Sequence, residues 1–141
     1  MKAQQFIAAL QQIEDQSNLV PMVQLFADGA ASWNPELSQQ LVGIEGARRF
    51  WNEYRRTFRT IHSVFCSTID ADKQTALEWE SRGTLAVQGI PVYYRGVSII
   101  DWKDDRIVRF AAYYDPAALS AGNIEPPTET PSLSGKRPRT A

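Results

Sequence analysis

The amino-acid sequence predicts an α+β fold in which three N-terminal helices pack on a curved antiparallel β-sheet and leave a cavity between the two layers. Three observations predict it. Apolar residues recur at helical spacing through residues 5–59, they alternate with polar residues through 61–84, and residues 92–115 read as one long β-hairpin. Helices first and a meander of strands afterwards is the order of an α+β domain. A twisted antiparallel sheet of this length curls around its helices, and the conical space so formed suits a ligand.

The first helix is expected over Gln5–Asp15, where Phe6, Ala9, Leu10 and Ile13 form an apolar stripe beside a glutamine-rich exposed side. Ser17 or Asn18 can cap a second helix, Leu19–Ala27, whose Pro21 falls in the first turn where a missing N–H costs nothing. Asp28-Gly29 is expected to stop it. Ala30–Trp33 reads as a short strand, and Asn34-Pro35 opens a polar loop through Gln40, because the residue before proline is pushed to an extended conformation. Gly43–Arg59 is the third helix: Ala47, Phe50, Trp51, Tyr54 and Phe58 make an aromatic stripe that reads as core. Five arginines lie largely off that stripe with Glu45 and Glu53 among them, the pattern of a solvated face.

Strands follow at Ile61–Ile69 and Gln74–Thr84, joined by the polar turn Asp70-Ala71-Asp72-Lys73. In the hairpin, Gly96, Ser98, Ile100 and Trp102 alternate with Val97, Ile99 and Asp101, and Val108, Phe110, Ala112 and Tyr114 alternate with Ile107, Arg109, Ala111 and Tyr113. Both faces carry apolar residues, so both are expected to be covered. After Leu119 the composition turns to proline, serine and threonine. The chain therefore divides into a domain over residues 1–119 and a disordered Pro-rich tail over 120–141, whose Lys136–Arg139 basic cluster reads as solubilising.

At 141 residues with a formal net charge of −1, the chain is sized for one core and has no broad positive footprint for nucleic acid. Cys66 is its single cysteine, which excludes an intramolecular disulfide and a cysteine-based metal cluster. No metal and no cofactor is expected. The glutamine-interrupted N-terminus lacks the apolar run of a signal peptide and no segment is long enough to span a bilayer, so the expectation is a soluble, cytoplasmic protein without membrane partners.

Two stretches make a family resemblance. LFADGAASWNP, residues 25–35, is similar to the segment of ketosteroid isomerases, limonene epoxide hydrolases and polyketide cyclases that ends the second helix and starts the first strand. RGVSIIDWKDDRIVRFAAYYDPAAL, residues 95–119, resembles the closing hairpin of SnoaL-like proteins in the nuclear transport factor 2-like (NTF2-like) superfamily. The resemblance implies an NTF2-like cone and a set of catalytic positions. Ketosteroid isomerases use an aspartate base just before the proline, where this chain has Asn34, an amide without useful basicity. Their oxyanion hole pairs a tyrosine of the first helix with a protonated aspartate of the hairpin, and the matching positions are Leu10 and Ser98. The acid that cyclases and epoxide hydrolases carry on the last strand matches Ala112. The family carboxylates are thus unmatched.

The remaining candidates are few. His62 is of a residue type suited to general acid or base work, but a lone histidine near a strand start reads as surface or hydrogen-bonded structure. Glu80 is the best remaining carboxylate if its strand face turns inward, although Glu78, Glu80 and Arg82 form the pattern of a solvated or paired face. Asp115-Pro116 reads as a helix cap. The expected ligand site gathers Trp33 or Asn34 at its mouth, Trp51 and Tyr54 from the third helix, Trp79, Ser98 and Ile100, and Phe110, Ala112 and Tyr114. Two function classes follow: a domain that binds a small hydrophobic molecule, or an enzyme of the isomerase, cyclase or hydrolase kind using a nonstandard acid–base residue. A homodimer through the outer sheet face is expected from Val97, Ile99, Ala111 and Tyr113, an apolar set a monomer would expose.

Overall fold

The computed structural model describes residues 2–121. The elements run α1 (Lys2–Gln16), α2 (Val20–Gln24), β1 (Phe26–Trp33), β2 (Leu41–Val42), α3 (Gly43–Thr57), β3 (Phe58–Asp70), β4 (Gln74–Leu85), β5 (Pro91–Lys103), β6 (Arg106–Tyr114) and α4 (Ala117–Ala121). Helices pack on a curved, open sheet of strand order β2-β1-β6-β5-β4-β3. The pairing is antiparallel except between β1 and β6, which run side by side in the same direction. That parallel pair arises because α3 and the β3–β6 meander intervene before the chain returns to β1's free edge.

The core lies between the helices and the sheet's inner face. Phe6 and Ile13 of α1, Phe50 and Trp51 of α3, and Leu77, Ile100 and Phe110 of the strands are all buried there. Full burial of one such side chain stabilises the fold by about 1.5–3 kcal/mol. Aromatic contacts tie the layers together: Phe110 stacks on Phe6 at 5.4 Å between ring centroids and meets Trp51 at 5.2 Å and Phe50 at 5.5 Å. Offset and edge-to-face geometries of this kind favour a fixed arrangement over interchangeable packing.

Several element boundaries differ from the sequence reading. The second helix is a single turn, Val20–Gln24, and Asp28-Gly29 lies inside β1 instead of ending a helix. Gly29 takes φ +79°, and the register of β1 against β6 shifts between Phe26 and Ala31. Such a bulge lets Phe26 pair with Ile107 and stay fully buried while the following polar residues face water. β3 starts three residues earlier than expected, at Phe58, straight out of α3. In the hairpin the alternation breaks at Val108. The register slips between Asp101 and Trp102, so Ile107, not Val108, turns into the core opposite Trp102. The hairpin turns on Asp104 and Asp105, both at positive φ, the demand of a tight two-residue turn.

α4 extends through Ala121, past the residue 119 boundary expected for the tail; the remainder of the expected Pro-rich tail, with its basic cluster, lies outside the described residues. Among the described residues, no helix is long and apolar enough to cross a membrane.

Candidate functional site

A cavity of about 430 Å³ opens between α1, α3, the loop after β1 and the inner face of β3–β6. Its mouth is marked by the exposed Glu36, Arg49, Glu53 and Thr57, and its deep end by the buried Ser63, Trp79, Ser81, Tyr94 and Ser98. Strand parity explains the inner set. Pairs directly opposite one another in a sheet share a face, and Ser63 lies opposite Ser81, Ser81 opposite Tyr94, and Ser98 opposite Ala112.

Of the residues singled out from sequence, Asn34, Trp51, Tyr54, Trp79, Ser98, Phe110, Ala112 and Tyr114 line this cavity. Leu10 lines it as well. Trp33 does not. Its register partner is Ala111, so it lies on the outer face, where its ring meets Tyr113 at 5.5 Å and its Nε1–H donates to the Leu37 carbonyl at 3.1 Å. Ile100 is on the inner face but is fully buried in the closed part of the core toward the hairpin turn, paired with Thr75 and Phe110, and borders no open space.

The three weak catalytic candidates lie outside the cavity. His62 is exposed between the buried Ile61 and Ser63, opposite Arg82. Glu80 is on the outer face, 3.9 Å from Arg95. Partial desolvation by its neighbours, followed by the charges of Glu80 and Glu78, pushes the nearby, still exposed Cys66 thiol up. Asp115 Oδ1 accepts the Ala117 backbone N–H at 3.0 Å, so its carboxylate caps α4. Among the described residues, no three histidine, cysteine, aspartate or glutamate side chains converge as a metal site.

The principal polar feature is one the sequence reading passed over. Glu14 is 6% exposed and holds three hydrogen bonds. Its Oε2 accepts from the Tyr54 hydroxyl and the Ser63 hydroxyl, each at 2.6 Å, and its Oε1 accepts from the Ser63 backbone N–H at 2.9 Å. Ser63 Oγ is in turn 2.6 Å from Ser81 Oγ. The signal was in the helix period: Glu14 follows Leu10 by four residues and so falls within the apolar stripe of Phe6, Leu10 and Ile13. Ser63 and Ser81 likewise stand at inward strand positions. A second pair sits at the mouth, where the Tyr114 hydroxyl donates to Glu36 Oε2 at 2.6 Å. Asn34 holds that loop in place, its Oδ1 accepting the Glu36 N–H at 2.9 Å.

Burial, reinforced by these carboxylates, keeps the phenols protonated. Burial, then Tyr94 and Glu14, holds Tyr54 well above its ordinary range. Burial, then the Glu36 hydrogen bond, does so for Tyr114, and burial with the charges of Glu14 and Glu36 does so for Tyr94. Desolvation disfavours the charged form, and a nearby carboxylate disfavours a second negative charge. On the neutral side, Trp79 Nε1–H donates to Ser98 Oγ at 2.9 Å. Trp51 Nε1 is buried with no hydrogen-bond partner among the described residues.

Known proteins place this architecture. Residues 3–110 match the model of the SnoaL-like domain family. No curated protein matches the chain. Among solved structures, an NTF2-like protein from Anabaena variabilis superimposes with a TM-score of 0.73 at 19% identity, over 81% of this chain and 87% of its own. A protein of ketosteroid isomerase-like fold from Catenulispora acidiphila, in complex with trimethylamine, has a TM-score of 0.73 at 15% identity over 89% of this chain and 97% of its own. TerC co-crystallised with polyporic acid has a TM-score of 0.73 at 12% identity over 85% and 95%. At these identities the structures share the NTF2-like fold, and the domain match carries the family: the chain belongs to the SnoaL-like domain family.

Proposed function

We propose that this protein binds a small, mainly apolar, ring-bearing molecule in the cavity between α3 and the sheet. One observation carries the reading: the walls are built from the rings of Phe50, Trp51, Tyr54, Phe58, Trp79, Tyr94, Phe110 and Tyr114, while the positions of the family carboxylates are Asn34, Ser98 and Ala112. Rings supply most of the area a ligand would bury, and a few polar groups orient it. The ligand-bearing relatives, one with trimethylamine and one with polyporic acid, support a fold that admits small molecules. The test is a thermal-shift screen of aromatic and alicyclic compounds against the full chain. Binding to the folded chain raises the unfolding temperature, by more as free ligand rises above its dissociation constant, and a screen in which no such compound moves it defeats the reading.

An enzymatic reading is favoured by a different observation, the presence of Glu36 with its Tyr114 partner on the cavity wall. A carboxylate in reach of a bound carbon acid or water can move a proton. Turnover of a bound compound that disappears in Glu36→Gln would establish it.

The same proposal includes a homodimer through the outer sheet face, supported by the exposed Val64, Val97 and Tyr113. Light scattering at high concentration distinguishes a dimer from a 15.9 kDa monomer. It also includes a cytoplasmic location, in keeping with one exposed, unbridged thiol at Cys66.

A further inference from the structure

We propose that the deep end of the cavity takes the protonated amino group of a ring-bearing amine, with the Tyr54 and Ser81 oxygens as acceptors and Glu14 behind them as the counter-charge. The inference rests on the cavity being a ligand site and names the class of ligand.

The first support is the direction of the protons. Glu14 as a carboxylate can only accept, and it takes the Tyr54 hydroxyl proton, the Ser63 hydroxyl proton and the Ser63 N–H. Ser63 has then spent its one hydroxyl proton, so across the 2.6 Å contact Ser81 must donate to Ser63. Every hydroxyl of the cluster is committed toward Glu14. What Tyr54 and Ser81, both on the cavity wall, present to the open space is lone pairs. A ligand carbonyl or carboxylate placed there would meet oxygen against oxygen. A group rich in N–H donors would be matched.

The second support is charge. Buried charges are ordinarily paired, yet among the described residues no lysine, arginine or histidine forms an ion pair with Glu14. Its compensation is three hydrogen bonds and no cation. The cavity carries Glu36 and Glu53 as well; Glu53 pairs with Arg56, and among the described residues the one cation on the lining, Arg49, is exposed at the mouth where water screens it. The negative field reaches the middle of the cavity: after burial, both Glu14 and Glu36 contribute to holding the Tyr94 phenol above its ordinary range. The third support is the wall. Tyr94 stands edge-to-face with Trp79 at 5.3 Å and stacks with Phe58 at 6.1 Å. Aromatic faces attract an ammonium group through their quadrupoles.

Four probes of matched shape test this at neutral pH: benzylamine, benzyl alcohol, toluene and benzoate, with dissociation constants taken from tryptophan fluorescence of the full chain. The expected order is benzylamine tightest, then the alcohol, then toluene, with benzoate weakest. The amine should exceed toluene by roughly tenfold or more. Glu14→Gln keeps the shape and removes the charge, and should bring benzylamine down to the level of benzyl alcohol while leaving toluene unchanged. Ser81→Ala and Tyr54→Phe, which retain Glu14, should each weaken benzylamine several-fold and supply the answer should Glu14→Gln fail to fold. If toluene and benzyl alcohol bind as tightly as benzylamine, or if the amine preference survives these substitutions, this inference is overturned while the cavity reading stands. If none of the four binds, the cavity reading falls and this inference with it.

Discussion

Trp79 lies against Gly96, its directly opposed residue on the neighbouring strand, so closely that a Cβ on Gly96 would sit 2.6 Å from Trp79 Cζ2 and 2.5 Å from the Tyr113 carbonyl oxygen. The absent side chain is what seats the indole. From that seat Trp79 forms part of the cavity wall and donates to Ser98 Oγ. A glycine in a strand interior costs backbone entropy, and here it is offset by the ring packed over it.

Gly96→Ala is therefore expected to force either the ring or β6 to move, at a cost of about 1–3 kcal/mol for overpacking. Denaturant titration measures the cost. The tryptophan emission should shift at the same time, because Trp79 loses its Ser98 partner. An alanine variant as stable as the parent, with unchanged emission, would show that the contact is not held in solution.

Ala112 is 7% exposed, on the cavity wall opposite Ser98. Ala112→Trp places an indole in space the cavity already holds, so it should abolish ligand-induced stabilisation while changing unfolding free energy by no more than about 1–3 kcal/mol. Thermal shift with and without the ligand separates the two effects. Retained binding would move the site elsewhere on the molecule.

Period-two alternation put Ser98, Phe110, Ala112 and Tyr114 on one face, and the structure places them on one cavity wall, because alternation over a regular ladder fixes parity. It failed at Ile107 and Trp33, where a register slip and the strand's pairing decide the face. Neither can be read from one strand alone. Gly29 read as a helix stop because glycine serves both a helix end and a bulge. Glu14 is hard to read for another reason: a charged residue at an apolar-stripe position carries no local sign that it is buried. Its partners Tyr54 and Ser63 are 40 and 49 residues away, so no local pattern announces them.

Asp115 tests the distinction between a cap and a catalyst. Its Oδ1 satisfies the Ala117 N–H, one of the donors at the α4 start that no helical carbonyl reaches. Asp115→Ala should cost about 1 kcal/mol and leave ligand binding unchanged, since the side chain is not on the cavity wall. Loss of a measurable turnover with stability intact would instead make it a catalytic acid.

The buried phenols set the alkaline limit of the fold. Tyr54, Tyr93, Tyr94 and Tyr114, four of the chain's five tyrosines, are held above their ordinary range, each by burial first and a glutamate charge or hydrogen bond among the causes after it. Unfolding returns them to an ordinary value of about 10. Below that pH both states keep the phenolic protons and the contribution is complete. Above it the unfolded chain releases protons that the folded chain retains, so stability falls as pH rises, by about 1.4 kcal/mol per pH unit for each such group. The unfolding temperature should thus lose little to these groups up to about pH 9 and drop steeply above about pH 10. Tyrosinate absorbance should rise for these four only as the fold opens. Tyr94→Phe isolates one of them: its phenol is raised by burial and charge with no hydrogen bond among the causes. The variant should match the parent at neutral pH to within about 1 kcal/mol and fall less steeply with rising pH. A parental slope in that variant would mean that Tyr94 ionises freely in the folded protein and that its hydroxyl reaches water through the cavity mouth.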